Sequence, residues 1–276
     1  MTTELSGLVA AAKACTAACV ITLTPGTYPS PPLSNLNLPP GQVTFDLTGS
    51  TFDFAVIGSS SGFTVVGGTV VKGNKWGFCW VIDHATGITL KNNVADQCPT
   101  AAFVLTRSKD ITLTDWTVTA PGCDGVQVAG MNGFVVTRGN YSGYVPNPNG
   151  CHADGVQMWA MAGFPLVNGV VSDNTITSTS ALTADGKSRG VQGIDDYGGT
   201  PDPKDNISVI DNTLSLYGSV CVGMVNVTHL TVRGNKCTNN QPQPWKSRYI
   251  WTNSSGKIGP NQLDGKVLRG SETTSP

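Results

Sequence analysis

The chain has 276 residues, of which 13% are charged, and its formal net charge is -1. This balance excludes the basic surfaces that nucleic acids and anionic membranes select, and the longest apolar runs are too short to cross a bilayer. Only two Glu occur, Glu4 and Glu272, both near the ends, so carboxylate chemistry elsewhere depends on Asp.

The N-terminal segment predicts a cap followed by a first coil of strands. Residues 4–19 have the spacing of a short amphipathic helix, and Val20–Tyr28 alternate like a strand. A solenoid needs such a cap because its end otherwise exposes core and unpaired strand edges. We therefore expect one domain over residues 1–265, with a Pro-rich connection at 29–40 and a polar tail at 266–276.

One pattern, apolar-x-apolar-x-x-Asn, recurs at intervals of roughly 23 to 38 residues. Its six occurrences are Ile88-x-Leu90-x-x-Asn93, Ile111-x-Leu113-x-x-Trp116, Val135-x-Thr137-x-x-Asn140, Gly169-x-Val171-x-x-Asn174, Ile207-x-Val209-x-x-Asn212 and Leu230-x-Val232-x-x-Asn235. Asn suits a tight bend, and amides stacked on coils about 4.8 Å apart can hydrogen-bond as a ladder.

A second short strand precedes each bend, and its middle residue is predicted to point outward. These strands are Trp80-Val81-Ile82, Phe103-Val104-Leu105, Val126-Gln127-Val128, Val156-Gln157-Met158, Val191-Gln192-Gly193 and Val222-Gly223-Met224. A coil of about 23 residues is too short for a propeller blade, which needs about 40. The sequence predicts an all-β fold, a single-stranded right-handed parallel β-helix with an N-terminal capping helix.

Eight Cys fall into pairs of sequence neighbours, which predicts disulfides in an oxidising compartment. The pairs are Cys15–Cys19, Cys79–Cys98, Cys123–Cys151 and Cys221–Cys237. Buried free thiols are the alternative. Disulfides favour a secreted, extracellular protein or a component of a virion surface.

Two long insertions, residues 141–154 and 177–190, border one strand column and predict a binding flank. The candidate substrate-binding residues near them are Gln127, Gln157, Gln192, Trp159, Tyr141, Asp195, Asp196, Tyr197 and Lys187. The Gln side chains are expected to form one outward column, and the aromatic residues could stack on sugar rings. A structural amide ladder is the alternative interpretation of the Gln residues.

Three similar tetrapeptides suggest a catalytic cluster at the start of these strands. Aligning Asp124-Gly-Val-Gln, Asp154-Gly-Val-Gln and Arg189-Gly-Val-Gln on consecutive coils places Asp124, Asp154 and Arg189 side by side. Two neighbouring carboxylates repel, so one pKa should rise, which a general acid beside a general base requires. His152 would assist. Each Asp also precedes a Gly, so either could instead be a turn former.

Part of this region resembles a known superfamily. His152-x-Asp154-x-x-Gln157, Asn174-Thr-Ile176 and Gln192-Gly193-Ile194 are similar to strands and bends of pectate-lyase-like right-handed β-helix proteins. The resemblance covers roughly residues 60–260 and implies a polysaccharide lyase, hydrolase, epimerase or phage tailspike depolymerase. The paired-Asp and Gly-His-Gly set of polygalacturonases and the Arg-x-Pro-x-x-Arg stretch of pectate lyases are missing from the sequence.

The first functional hypothesis is cleavage of an extracellular polysaccharide, with hydrolysis ahead of β-elimination. Asp154 and Asp124 would be the acid–base pair, with His152 and Arg189 assisting. In a lyase, Arg189 or Lys187 would neutralise a uronate, and His152 or Tyr141 would be the base. The second hypothesis is a non-catalytic glycan-binding, tailspike or adhesin module, monomeric or homotrimeric. No dedicated metal site or required cofactor is predicted. Ca²⁺ at Asp195-Asp196, as in a Ca²⁺-dependent epimerase, is a third hypothesis.

Overall fold

The computed structural model describes residues 1–145, 151–178, 191–196, 202–217, 220–240 and 248–268, and these form a parallel β-solenoid of about 10 turns. Most coils contribute one strand to each of three sheets, which we name A, B and C, and the described residues of the first and last coils have no strand in sheet C. Neighbouring strands within a sheet come from successive coils and pair in parallel, except for one antiparallel pair at the C-terminal end, between Asn261–Leu263 and Lys266–Leu268. The predicted fold class is confirmed.

The strands of the described residues are given sheet by sheet. Sheet A contains Thr2–Thr3, Cys19–Leu23, Val43–Asp46, Phe63–Val66, Thr89–Lys91, Lys109–Thr114, Asn132–Thr137, Leu166–Ser172, Lys204–Ile210, Val227–Thr228, Leu230–Arg233 and Gly256–Ile258. Sheet B contains Thr27–Tyr28, Thr51–Phe52, Thr69–Val71, Val94–Asp96, Thr117–Thr119, Asn140–Ser142, Thr175–Thr177, Thr213–Leu216, Lys236–Asn239, Asn261–Leu263 and Lys266–Leu268. Sheet C contains Ala55–Gly58, Phe78–Asp83, Ala101–Thr106, Asp124–Ala129, Asp154–Trp159, Gln192–Asp196, Val220–Val225 and Arg248–Thr252.

The N-terminal cap is shorter than the sequence pattern suggests. It consists of a 3-10 turn at Leu5–Gly7 and an α-helix at Leu8–Ala14, which buries Leu8 and Ala12 against the first coil. The backbone is already extended at Cys15, with ψ 120°, and the next strand begins at Cys19. The predicted helix over 4–19 is therefore wrong at its C-terminal end. None of the helices in the described part of the chain could span a membrane.

An asparagine ladder stabilises the bend between sheets A and B. Asn174, Asn212, Asn235 and Asn261 are buried on four consecutive coils. The Oδ1 atom of Asn212 accepts hydrogen bonds from the backbone N–H and the Nδ2 of Asn174, both at 3.0 Å. Asn235 receives the same two bonds from Asn212, at 3.1 and 2.9 Å. Each buried amide therefore finds both donor and acceptor partners, as burial requires.

The ladder is interrupted on the two coils that precede Asn174, and on the second of these the predicted alignment was wrong by one residue. Sheet A pairs Ile111 with Phe134, so the bend position of that coil is Gly139 and not the exposed Asn140. A Cβ atom on Gly139 would come within 1.7 Å of the ring of Trp116 on the preceding coil. The large indole thus fills the space of two ladder positions, and only glycine fits beside it.

All four predicted disulfides are present: Cys15–Cys19, Cys79–Cys98, Cys123–Cys151 and Cys221–Cys237. No described cysteine is free. The pair Cys123–Cys151 has particular importance for function, because Cys123 directly precedes Asp124 and Cys151 directly precedes His152. It therefore joins two consecutive coils beside the residues of the candidate site.

Candidate functional site

Three consecutive strands of sheet C begin with a polar residue, a glycine and an apolar residue in equivalent positions. These are Asp124-Gly125-Val126, Asp154-Gly155-Val156 and Gln192-Gly193-Ile194. Val126, Val156 and Ile194 are buried in the interior. The strands therefore place one polar side chain per coil at the edge where sheet C begins.

The glycines explain why this edge has its shape. A Cβ on Gly125 would come within 2.6 Å of the Tyr141 ring, and one on Gly155 within 2.4 Å of the Ile176 side chain. Interior side chains from sheet B occupy the space where a Cβ would lie. Only glycine allows the sheet C backbone to approach them this closely.

The third coil differs from the predicted register by three residues. Sheet C pairs Asp154 with Gln192 and Gln157 with Asp195, so the outward column is Gln127, Gln157 and Asp195. The predicted column ending at Gln192 is wrong, as is the predicted alignment of Asp154 with Arg189. Two Gly-apolar-polar tripeptides follow each other here, Gly190-Val191-Gln192 and Gly193-Ile194-Asp195, and the second one takes the position.

Asp124 is 2% exposed and both its carboxylate oxygens are engaged. Oδ1 accepts the backbone N–H of Asp154 at 2.9 Å, and Oδ2 accepts the amide of Gln127 at 2.7 Å. Burial, followed by the nearby charge of Asp154, raises the pKa of Asp124 to about 7. Asp124 thus holds the next coil in place through its side chain.

Asp154 lies one coil further and is completely buried, at 0% exposure. Its Oδ2 is 2.9 Å from Nδ1 of His152, whose side chain is 44% exposed. Burial raises the pKa of Asp154, whereas the hydrogen bond with Asp154 raises the pKa of His152 to about 9. The other oxygen of Asp154, Oδ1, is buried and has no hydrogen-bond partner among the described residues.

Asp195 is the third carboxylate, and it is half-buried. Burial, then the charge of Asp154, raises its pKa to about 7. The neighbouring residue on the next coil is Gly223, where an added Cβ would lie 2.2 Å from Oδ1 of Asp195. Gly223 therefore leaves the room that the Asp195 carboxylate occupies.

The other candidates divide between the two faces of the sheet. Gln127, Gln157 and Trp159 are half-buried on the outer face, as expected of residues that could contact a ligand. Tyr141 is instead in the interior, where its hydroxyl donates to the carbonyl of Cys123 at 3.0 Å, and burial raises its pKa well above the usual value. A role for Tyr141 in substrate contact or as a base is therefore wrong.

Asp196 also points inward. It forms a buried ion pair with Lys204, with Nζ 2.6 Å from Oδ2, and that oxygen accepts the N–H of Val225. Asp195 and Asp196 thus face opposite sides of the strand and cannot hold one Ca²⁺ ion together, as the sequence suggested. Arg189, Lys187 and Tyr197 lie outside the described residues.

Among the described residues, one group of side chains could hold a metal ion. Donor atoms of His152, Asp154 and Asp195 all lie within 4.8 Å of one another. The sequence hides this group, because its members are spread over two coils and Asp195 was assigned to the wrong alignment. The repeated Gly-apolar-polar tripeptide was the available signal for Asp195.

Solved structures with similar folds come from several kinds of protein. A family 28 exopolygalacturonase of Yersinia enterocolitica aligns with a TM-score of 0.61 at 8% identity, over 95% of this chain and 65% of that enzyme. A surface adhesin of Streptococcus pneumoniae aligns with a TM-score of 0.52 at 12% identity, over 94% and 86% of the two chains. An alginate lyase of a Paenibacillus strain gives 0.51 at 12% identity, over 95% and 98%.

The chain thus spans slightly less than two thirds of the exopolygalacturonase. No protein-family model matches the sequence, and no curated protein does. At these identities the likeness is one of fold. The chain has the right-handed parallel β-helix fold of the pectate-lyase-like proteins.

Proposed function

We propose that this protein cleaves an extracellular polysaccharide by glycoside hydrolysis on the outer face of sheet C. The observation that carries the proposal is the cluster of His152, Asp154 and Asp195 at the start of that sheet, beside Asp124. The fold is also that of enzymes whose names include a polygalacturonase and an alginate lyase. Four disulfides support an oxidising, extracellular location, which includes the surface of a virion.

His152 and Asp195 are the groups best placed to react with a substrate. Both are accessible from the outer face, whereas Asp124 and Asp154 are buried. Between pH of about 7 and 9, Asp195 is ionised and can act as the nucleophile, while His152 is protonated and can act as the acid. Their donor atoms lie within 4.8 Å of each other, which suits the short separation of a retaining mechanism and leaves no room for a water between an acid and a base. Asp154 orients His152, and Asp124 positions Asp154. Direct acid–base roles for Asp124 and Asp154 stay a prediction.

The amide column supports binding of a hydroxyl-rich polymer. Gln127 and Gln157 are paired on consecutive coils next to Asp195, and all three are half-buried on the outer face. Amides can both donate and accept hydrogen bonds, as sugar hydroxyls do. Because the coils are about 4.8 Å apart, such residues form a row parallel to the solenoid axis.

Trp76 supports the same proposal at a distance along the same edge of sheet C. It is 65% exposed and lies two residues before Phe78, as His152 lies two residues before Asp154. Strand pairing from Phe78 through Ala101 to Asp124 places the two positions three coils apart, about 14 Å. An exposed indole is a suitable surface for stacking on a sugar ring.

The turn around Trp76 is well ordered by hydrogen bonds. Oδ1 of Asn74 accepts the backbone N–H groups of Trp76 and Phe78, at 2.9 and 3.2 Å, and Thr100 donates to the Trp76 carbonyl at 2.8 Å. The Lys75 ammonium lies 5.0 Å from the centre of the Trp76 ring. The indole is thus held in an exposed position by its own loop.

A screen tests the proposal. Purified protein is incubated with neutral and acidic bacterial and plant polysaccharides, and reducing ends and ultraviolet absorbance are followed together. Hydrolysis yields reducing ends without new absorbance, whereas β-elimination also yields an absorbing unsaturated uronate. We expect hydrolysis, with a rate that rises through pH of about 7 and falls through about 9. No reducing ends from any polymer would contradict the proposal.

The second candidate function is a glycan-binding module without turnover, in a monomer or homotrimer. It is favoured by one observation: Asp124 is fully hydrogen-bonded and Asp154 is 0% exposed, as structural residues often are. Asp124→Asn and Asp154→Asn distinguish the candidates. A module keeps its glycan affinity in both variants and shows no turnover in the wild type, whereas the enzyme loses rate. Light scattering of the purified protein tests the oligomeric state.

A further inference from the structure

We propose that His152, Asp154 and Asp195 form a binding site for one divalent first-row transition metal ion of the Zn²⁺ type. The site uses side chains of the proposed active centre, but metal binding is measurable without any substrate. Its failure would leave the hydrolysis proposal standing, and the reverse also holds.

The first support is geometric. All three donor groups lie within 4.8 Å of one another, and His152 Nδ1 is already 2.9 Å from Asp154 Oδ2. Ligands about 2.1 Å from one tetrahedral Zn²⁺ ion are roughly 3.4 Å apart. The donors therefore need to approach by little more than about 1 Å, which small side-chain rotations of His152 and Asp195 can provide.

The second support is the orphaned oxygen of Asp154. Its Oδ1 is buried without a hydrogen-bond partner in the part of the chain that the structure describes, and the residue is 0% exposed. Buried carboxylate oxygens normally accept hydrogen bonds or bind cations, because an unsatisfied one is destabilising. A cation between Asp154 and Asp195 would satisfy this oxygen and relieve the repulsion between the two carboxylates.

The donor set indicates which cation. Ca²⁺ and Mg²⁺ prefer oxygen ligands alone, whereas an imidazole nitrogen favours Zn²⁺ and its neighbours in the first transition row. Three protein ligands leave a coordination position for water, as in open zinc sites. The His152 side chain is 44% exposed, so an ion can reach the group from the outer face of sheet C.

Metal binding and the proposed catalysis exclude each other at these side chains. A coordinated His152 has no proton to donate from the ligating nitrogen, and a coordinated Asp195 is a weaker nucleophile. We therefore expect Zn²⁺ to inhibit the hydrolysis proposed above, and a chelator to restore it.

The test is calorimetric titration of the chelator-treated protein with Zn²⁺, and with Ca²⁺ as a comparison. We expect one Zn²⁺ per chain, no measurable Ca²⁺ binding at the same concentration, and a Tm that rises by about 3 °C or more in excess Zn²⁺. Co²⁺ added in place of Zn²⁺ should give visible absorption bands typical of bound nitrogen and oxygen ligands.

Two variants test individual ligands, and a third variant is the control. His152→Gln and Asp195→Asn should each weaken Zn²⁺ binding at least about tenfold. His84→Gln is the matched control, because His84 also pairs with a carboxylate, Asp83, at 3.0 Å but has no third ligand in a described metal group. Far-ultraviolet circular dichroism confirms that each variant is folded. Absence of Zn²⁺ binding by the wild type, or equal loss in His84→Gln, would overturn the proposal.

Discussion

Polar side chains lie on consecutive coils both at the bend between sheets A and B and at the start of sheet C. Their hydrogen bonds are satisfied at the bend but not at the start of sheet C. At the bend, Asn174, Asn212, Asn235 and Asn261 stack on consecutive coils, and the amides of Asn212 and Asn235 each donate to one neighbouring amide and accept from another. At the start of sheet C, the carboxylates of Asp124 and Asp154 stack instead, and Asp195 of the neighbouring outward column lies close to Asp154. A carboxylate only accepts, so Asp154 keeps a buried oxygen that makes no hydrogen bond within the described residues, and all three Asp have raised pKa values.

Stacked amides and neighbouring carboxylates have different consequences for the protein. A column of amides is electrically neutral and can satisfy every member, so it stabilises the solenoid. A cluster of carboxylates must bind protons, a cation or a ligand to become equally satisfied. We therefore expect substitutions in the asparagine ladder and in the carboxylate cluster to act on different measurable quantities.

The largest effect is expected at Asp195. Asp195→Asn should reduce the rate of polysaccharide hydrolysis by about 10²–10⁴-fold, because an amide cannot act as the nucleophile that the carboxylate provides. Its Tm should stay within a few degrees of the wild type. The measurement is kcat/KM by reducing-end release. Asp173→Asn is the control, since Asp173 is an exposed carboxylate at another corner with a positive φ that Asn tolerates. Equal rates for both variants would contradict the role of Asp195.

Substitutions in the asparagine ladder should change the free energy of unfolding and leave the rate of hydrolysis unchanged. Asn212→Ala should lower the free energy of unfolding by about 2–4 kcal/mol, because Asn174 and Asn235, buried on the two adjacent coils, lose their hydrogen bonds to the Asn212 side chain. Urea denaturation measures the change. Asn132→Ala is the matched control, since its bond with Asn168 at 3.1 Å is exposed, and we expect a loss below about 1 kcal/mol. A smaller loss in Asn212→Ala than in the control would contradict the ladder's role.

Asp124 should make stability depend on pH. Its pKa is about 7 in the folded protein, above the usual 3.8, so the folded state binds the proton more tightly. Its contribution to stability is therefore present at low pH and is lost as pH rises from about 4 to about 7. Asp124→Asn should remove this dependence and stabilise the protein by roughly 1–3 kcal/mol at pH 8.

Urea titrations at several pH values check the expectation for Asp124. The Gln127 amide can rotate to accept a hydrogen bond from the new Asn, so the substitution leaves no donor facing a donor. If Asp124→Asn destabilised the protein equally at pH 8 and at pH 4, the ionised Asp124 carboxylate would not be destabilising the folded state.

The smallest effect is expected at Trp76, which belongs neither to the asparagine ladder nor to the carboxylates at the start of sheet C. Trp76→Ala should raise KM for a long polysaccharide about three- to tenfold with little change in kcat, because stacking contributes to binding away from the reacting bond. Trp76→Phe, which keeps an aromatic face, should retain most of the affinity. A change in kcat without a change in KM would contradict a role of Trp76 in substrate binding.

The sequence predicted the parts of the fold that depend on local periodicity. Apolar alternation gave the coils, and sequence-neighbouring cysteines gave all four disulfides. The pairing of Gln127 with Gln157 was also predicted, because their surrounding tetrapeptides are identical.

Two of the wrong predictions, the assignments of bend and column residues, share a physical cause. The assignments of Asn140 and Gln192 each had a second alignment one or three residues away. The choice was decided by packing between coils: the Trp116 ring against Gly139, and the burial of Ile194 beside Val156. The orphaned oxygen of Asp154 and its group with His152 and Asp195 depend on side-chain positions that no spacing rule contains.

The disulfide Cys123–Cys151 makes the candidate site depend on whether the thiols of the chain are oxidised. It connects the residues immediately before Asp124 and His152, so a newly made chain with reduced thiols lacks the covalent tie that aligns the two coils. We expect such a chain to be latent and to mature only when it is oxidised. If hydrolysis is the function, as proposed, oxidation after synthesis would be the step that activates the enzyme.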